Sequence, residues 1–93
     1  MAIHQKQIDR AIALAKAFGV TRLTLFGRAA TKPEQATDLD LACDGVQGWK
    51  LYELGARLEE ELQVSLDLIP LTPPTGFTRL IERRGKVFLI GTA

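Results

Sequence analysis

The sequence predicts a small α/β (α+β) domain, a mixed β-sheet flanked by helices, and three observations carry that prediction. Two segments repeat apolar residues at spacings of three and four, the mark of amphipathic helices. Short runs near residues 21–26, 38–43 and 64–69 have the length and apolar content of strands. One of the helices lies between the second and third runs, a crossover that sets neighbouring strands parallel. At 93 residues the chain holds one core and is read as one domain, residues 1–93.

The elements follow in order. From Ile3 to Phe18, residues Ile8, Ala11, Ile12, Ala15 and Phe18 fall on one helical face, with Gln5, Asp9, Arg10 and Lys16 turned outward. Gly19 follows and suits the end of a helix. In Thr21–Phe26, Leu23 and Leu25 alternate with Arg22 and Thr24, which reads as a strand stopped by Gly27. Residues 28–37 contain Pro33 and read as a loop opening with a helical turn at Arg28. A second strand runs Asp38–Cys43, and the Asp44-Gly45 pair marks its end.

Gly48–Leu62 is the clearest helix, lined by Leu51, Leu54, Gly55, Leu58 and Leu62. Glu59, Glu60 and Glu61 oppose the macrodipole at its C-terminus, which predicts a weak last turn. Val64–Ile69 is a third strand, and Pro70, Pro73 and Pro74 predict a loop after it. Phe77–Arg84 predicts a short helix with Thr75 as its cap, and Lys86–Ile90 a closing strand. Trp49, Tyr52 and Phe77 sit at helical spacing and are expected in the core, with Trp49 as a partner surface the lesser expectation. His4, the single histidine, has no companion and receives no role.

Composition narrows the function classes. The chain is 46% hydrophobic and 25% charged, with a net charge of +1. That balance argues against direct binding of nucleic acid, which calls for a basic face. A core this small predicts modest stability or support from a partner. The one cysteine, Cys43, cannot form an internal disulfide, and no Cys/His cluster suggests zinc. Neither a signal-peptide core nor a stretch of about 20 apolar residues is present, so a cytoplasmic protein without membrane contact is expected.

Chemistry enters with Asp38-Leu39-Asp40. Strand residues two apart share a face, so the two carboxylates stand about 6.6 Å apart at their bases, close enough to meet one hard cation or a close pair. Alone, the pair reads equally as the solvated face of an edge strand. Asp67, however, lies in the middle of the apolar run Val64–Ile69, where a carboxylate needs water, a partner or a metal. If the second and third strands are neighbours, three carboxylates gather in one place, and mutual repulsion calls for a cation. Gly27 ends the first strand with ten residues between it and Asp38. A glycine there lets backbone approach a phosphate closely, and equally serves an ordinary turn.

Leu25-Phe-Gly-Arg-Ala-Ala, the ten-residue gap, Asp38-Leu-Asp-Leu and Val64-Ser-Leu-Asp-Leu-Ile together resemble the minimal nucleotidyltransferases of the polymerase β superfamily. Their signature is a strand ending in Gly-Ser, a loop, Asp-x-Asp, and a third acidic residue on a later strand. The resemblance spans nearly the whole chain, and the ordered combination is far more specific than any part. It implies the polymerase β-like nucleotidyltransferase fold. Members commonly serve as antitoxins that move AMP from ATP to a tyrosine of a helical HEPN-type ribonuclease toxin.

By position, the resemblance implies that Asp38 and Asp40 bind metal. It makes Asp67 the third carboxylate, completing the site and accepting the proton of the attacking hydroxyl. Gly27 would sit against the triphosphate. Two Mg²⁺ ions and ATP as substrate are implied with them, and a HEPN-type toxin as partner. The family serine after the glycine is absent, and Arg28 stands in its place, by replacement or after a one-residue deletion. Arg28 can serve as a phosphate donor, since guanidinium forks onto phosphate. It can equally fill the pocket and pair with the acidic cluster instead of a metal.

Four functions therefore stand open. The first is an enzyme that adenylylates a partner protein, and the second a degenerate antitoxin that acts by binding alone. The third is a small-molecule nucleotidyltransferase, disfavoured because such enzymes carry an extra acceptor domain. The fourth is a structural domain with solvated acids. The acceptor, the triphosphate preference and homo-oligomerisation are left open.

Overall fold

The computed structural model describes residues 3–90. Helix α1 (Gln5–Ala17) turns Ile8, Ala11, Ile12 and Ala15 inward. Strand β1 (Arg22–Phe26) follows, then the single turn α2 (Arg28–Thr31) and a 3₁₀ turn at Pro33–Gln35. Strand β2 (Asp38–Asp44), helix α3 (Trp49–Leu62), strand β3 (Ser65–Pro70), helix α4 (Gly76–Arg84) and strand β4 (Lys86–Leu89) complete the order.

The four strands form one sheet in the order β3-β2-β1-β4. β1 pairs antiparallel with both β2 and β4, whereas β2 and β3 run parallel. The mixed sheet follows from the connections. The segment with α2 and the 3₁₀ turn folds β2 back antiparallel beside β1, while α3 carries the chain back over the sheet so that β3 enters in the direction of β2.

Strand parity divides the residues between two faces. On one face Leu23, Leu25, Leu39, Leu41 and Cys43 pack against Ala11 and Ala15 of α1 and Leu54, Leu58 and Leu62 of α3. This is the main core. On the other face a smaller cluster gathers Ala42, Leu71 and Ile81 with Phe26 and Ile69, and α4 covers that part only. The uncovered remainder of the second face carries the candidate site.

Local chemistry explains the boundaries. Thr75 caps α4 as expected: its Oγ1 accepts the Thr78 N–H at 3.1 Å, and its own N–H donates to Thr78 Oγ1 at 2.7 Å. Gly85 ends that helix hard against β1, where a side chain would meet the Leu25 carbonyl and Thr24 Cγ2.

Several sequence expectations change. The helical turn expected at Arg28 is present as α2, but the stretch behind it is not all loop, because Pro33 presets a 3₁₀ turn. Pro70 closes β3 instead of starting the loop, as an edge strand permits. The acidic end of α3 holds through Leu62: Arg10 reaches Glu61 at 2.8 Å, and Gln63, left-handed at φ 54°, donates to the Glu59 carbonyl at 3.0 Å.

Trp49, Tyr52 and Phe77 are not core residues; they are 76%, 84% and 59% exposed. Leu54, Leu58 and Leu62 fill the inward stripe of α3, and Thr78 and Ile81 that of α4, which leaves these rings outside. Among the described residues no helix is long and apolar enough to cross a membrane.

Candidate functional site: an acidic sheet face beside a glycine turn

The site is built by β2. Leu39 and Leu41 enter the main core, so alternation places Asp38 and Asp40 on the opposite face. β3 lies alongside in parallel, with Asp38 opposite Ser65 and Asp40 opposite Asp67. Neighbouring strands lie about 4.8 Å apart, so the Asp40 and Asp67 side chains leave the sheet as adjacent teeth. Across β2 on its other side, Phe26 of β1 stands opposite Asp40. One row across the sheet therefore reads Asp67, Asp40, Phe26.

Electrostatics single out Asp40. It is half-buried, and its carboxyl is raised above the ordinary 3.8, first by burial and then by the charges of Asp67 and Asp38. None of these three carboxylates takes part in an ion pair among the described residues. Asp44 offers the contrast. It shares their parity on β2 but meets Arg22 at 3.6 Å and accepts the Thr72 hydroxyl at 2.8 Å. Arg22 also holds Glu82 of α4 at 3.0 Å. The far end of the face is thus neutralised, whereas the near end keeps three uncompensated acids.

Gly27 faces that near end. It has φ 68° and ψ −154°, a combination essentially reserved for glycine. A β-carbon there would collide with the Asp40 carboxylate. Glycine is therefore required twice, by backbone conformation and by space. α2 starts directly after it, and Arg28 at its first position is exposed and joined to none of the three acids. The alternative in which Arg28 neutralises the cluster is not the arrangement found.

The predicted residues are therefore brought together: Asp38, Asp40 and Asp67 on one face, Gly27 against Asp40, Arg28 next to Gly27. They do not close into a cage. Among the described residues no three His, Cys, Asp or Glu side chains converge closely enough to hold a metal ion by themselves. The donor set nevertheless fits Mg²⁺, because it is all carboxylate oxygen. Mg²⁺ is usually held by one or two carboxylates, with substrate phosphates and water supplying the rest.

Sequence reasoning missed two neighbours of this face. Phe26 had a readable signal: it shares parity with Thr24, not with the core residues Leu23 and Leu25. Phe77 had none, because only the packing of α4 brings its ring perpendicular to that of Phe26, with centroids 6.2 Å apart.

No family model matches the chain, and no curated protein matches it in sequence. Solved structures do. A structure described as a putative minimal nucleotidyltransferase superposes with a TM-score of 0.70 at 22% identity, over 88% of this chain and 89% of that one.

The chain has the minimal nucleotidyltransferase fold.

Two further structures extend the likeness. A chain of the toxin–antitoxin complex MntA–HpeT gives a TM-score of 0.73 at 17% identity, over 85% of this chain and 69% of that one. A chain of the complex of a tri-AMPylated HEPN toxin with its MNT antitoxin, from Shewanella oneidensis, gives 0.70 at 20% identity, over 89% and 69%. In the minimal nucleotidyltransferase fold of this chain, the open acidic face lies between α2 and the uncovered half of β3.

Proposed function

We propose that this chain is a metal-dependent nucleotidyltransferase that moves AMP from ATP to a hydroxyl of a partner protein. The observation that carries the reading is the uncompensated trio Asp38, Asp40 and Asp67 beside a glycine-only turn. Three like charges on an open face, one of them partly buried, are costly unless a cation joins them. Asp38, Asp40 and Asp67 would hold Mg²⁺, two ions in the proposed working state. When bound, the metal supplies neutralisation of phosphate charge and alignment of entering and leaving oxygens.

The residues divide the remaining work. Gly27 leaves backbone bare where the triphosphate must approach, and exposed Arg28 donates to its oxygens. The partner's hydroxyl oxygen forms a bond to the α-phosphorus as the bond to the β-phosphate oxygen breaks, and pyrophosphate leaves. Asp67 takes the hydroxyl proton. The partner is proposed to be a HEPN-type toxin, and the chain its antitoxin. Support comes from the solved complexes that share the fold, two of which contain HEPN or HpeT toxin chains.

A second reading has one observation in its favour. Arg28 occupies the position of the motif serine, which suits a degenerate antitoxin that neutralises its partner by binding alone. Calorimetric titration of Mg²⁺-ATP into the wild type and Asp38→Asn separates the two. Binding that needs both Mg²⁺ and Asp38 is expected. A folded wild type that binds no nucleotide sinks the enzyme and leaves the binding module. Under that second reading Arg28→Ser raises nucleotide transfer; under the first, it lowers nucleotide affinity or leaves it unchanged.

A further inference from the structure

We propose that Phe77, backed by Phe26, is the platform on which the nucleobase of the bound triphosphate stacks. The inference rests on the triphosphate site proposed above and assigns the part of the nucleotide that the acids and Gly27 do not reach.

The register fixes where Phe26 lies. It stands opposite Asp40 on the same sheet face, one strand over, about 5 Å away between Cα atoms. The Phe77 ring lies perpendicular to that of Phe26, with 6.2 Å between centroids. From carboxylate to exposed ring the distance is thus on the order of 10 Å, taking strand spacing and ring offset together. A metal-held α-phosphate and one ribose bridge such a span.

Exposure adds the second reason. Along α4, Thr78 and Ile81 are buried against the sheet, yet Phe77 in the first turn remains 59% exposed. Phe26 packs against it on one side, and more than half of its surface is open. An aromatic ring held on one side by another ring offers a surface to a base without first having to be ordered. Trp49 and Tyr52 are more exposed still, but they lie on α3, which packs against the opposite face of the sheet; Tyr52 reaches the site only at the β3 edge, where it shares a cavity with Asp67, across the acids from Gly27 and Phe26.

Stacking on a ring uses the π-face that every base presents, so Phe77 contributes affinity without choosing among bases. Its loss weakens ATP and GTP alike, by roughly 5- to 150-fold if it carries one ordinary base–aromatic stack.

The test is calorimetric titration of the full chain with Mg²⁺-ATP and with Mg²⁺-tripolyphosphate, which lacks base and ribose. Wild type, Phe77→Ala and Phe77→Tyr are compared, each checked for folding by circular dichroism. Phe77→Ala is expected to lose ATP affinity by that factor while tripolyphosphate binding stays within about two-fold, and Phe77→Tyr to keep both. Phe77→Leu keeps apolar bulk against Phe26 without a π-face, and gives the same split should the alanine variant unfold. Unchanged ATP affinity, or equal loss of both ligands, overturns the platform while leaving the triphosphate site standing. A wild type that binds neither ligand overturns the site, and the platform with it.

Discussion

Replacing Gly27 with alanine probes the junction of fold and site in one step. The backbone at φ 68° and ψ −154° lies where an L-residue pays about 1–3 kcal/mol. The new methyl also meets the Asp40 carboxylate, which must leave its rotamer at a further cost of about 0.5–1.5 kcal/mol. The sum is roughly 1.5–4.5 kcal/mol. For a domain of this size, even the lower figure moves the midpoint down by roughly 6–12 °C. Urea unfolding followed by circular dichroism measures the loss, with an unchanged m-value as the sign that the unfolded state is unaffected.

A double-mutant cycle separates the two contributions. In an Asp40→Ala background the methyl has no carboxylate to displace, so Gly27→Ala should cost only the backbone part. The coupling expected is about 0.5–1.5 kcal/mol. A total loss below about 0.5 kcal/mol, the ordinary range for a surface substitution, would refute the backbone argument. Full additivity would refute the contact with Asp40.

Other consequences follow from named residues. Asp40 has a folded-state pKa above its ordinary value, so the folded protein binds more protons than the unfolded chain just above pH 3.8, and stability drops as pH rises through that window. With a chelator present, Asp40→Asn should therefore be more stable than wild type at neutral pH, an advantage that disappears on acidification; saturating Mg²⁺ should reverse the order. Leu54 is fully buried on the inner face of α3, and Leu54→Ala should cost about 2–5 kcal/mol in urea unfolding. Cys43 is buried and its thiol is pushed up to about 11, so an aromatic disulfide reagent should label it only at the rate of unfolding; prompt labelling of the native protein would contradict its placement in the core.

The sequence reveals different parts of the molecule to different degrees. Strand parity was legible wherever apolar residues alternate: Leu39 and Leu41 pointing inward left Asp38 and Asp40 together on the other side. The helix between β2 and β3 made the parallel pairing, and hence the place of Asp67, legible as well. The three aromatics were misread because periodicity shows which residues share a helical face, not whether another layer covers that face. Trp49 and Tyr52 keep helical spacing, but Leu54, Leu58 and Leu62 already fill the covered stripe of α3, and on α4 Thr78 and Ile81 take that stripe and leave Phe77 outside. The ion pair at the end of α3 was not legible for a similar reason, since only packing brings Arg10 of α1 to Glu61 across 51 positions of chain.

The sequence by itself determined the elements, their order, the two faces of each strand and the acidic character of one face. These depend on interactions within a few residues, where backbone geometry leaves few choices. Only the tertiary structure decided that β1 lies antiparallel between β2 and β4, that Arg22 neutralises Asp44 while the other three acids stay unpaired, and that α4 sets Phe77 beside the site. Such outcomes depend on which surfaces meet. Contacts between distant segments are settled by the packing of the whole core, and no local window of sequence contains them.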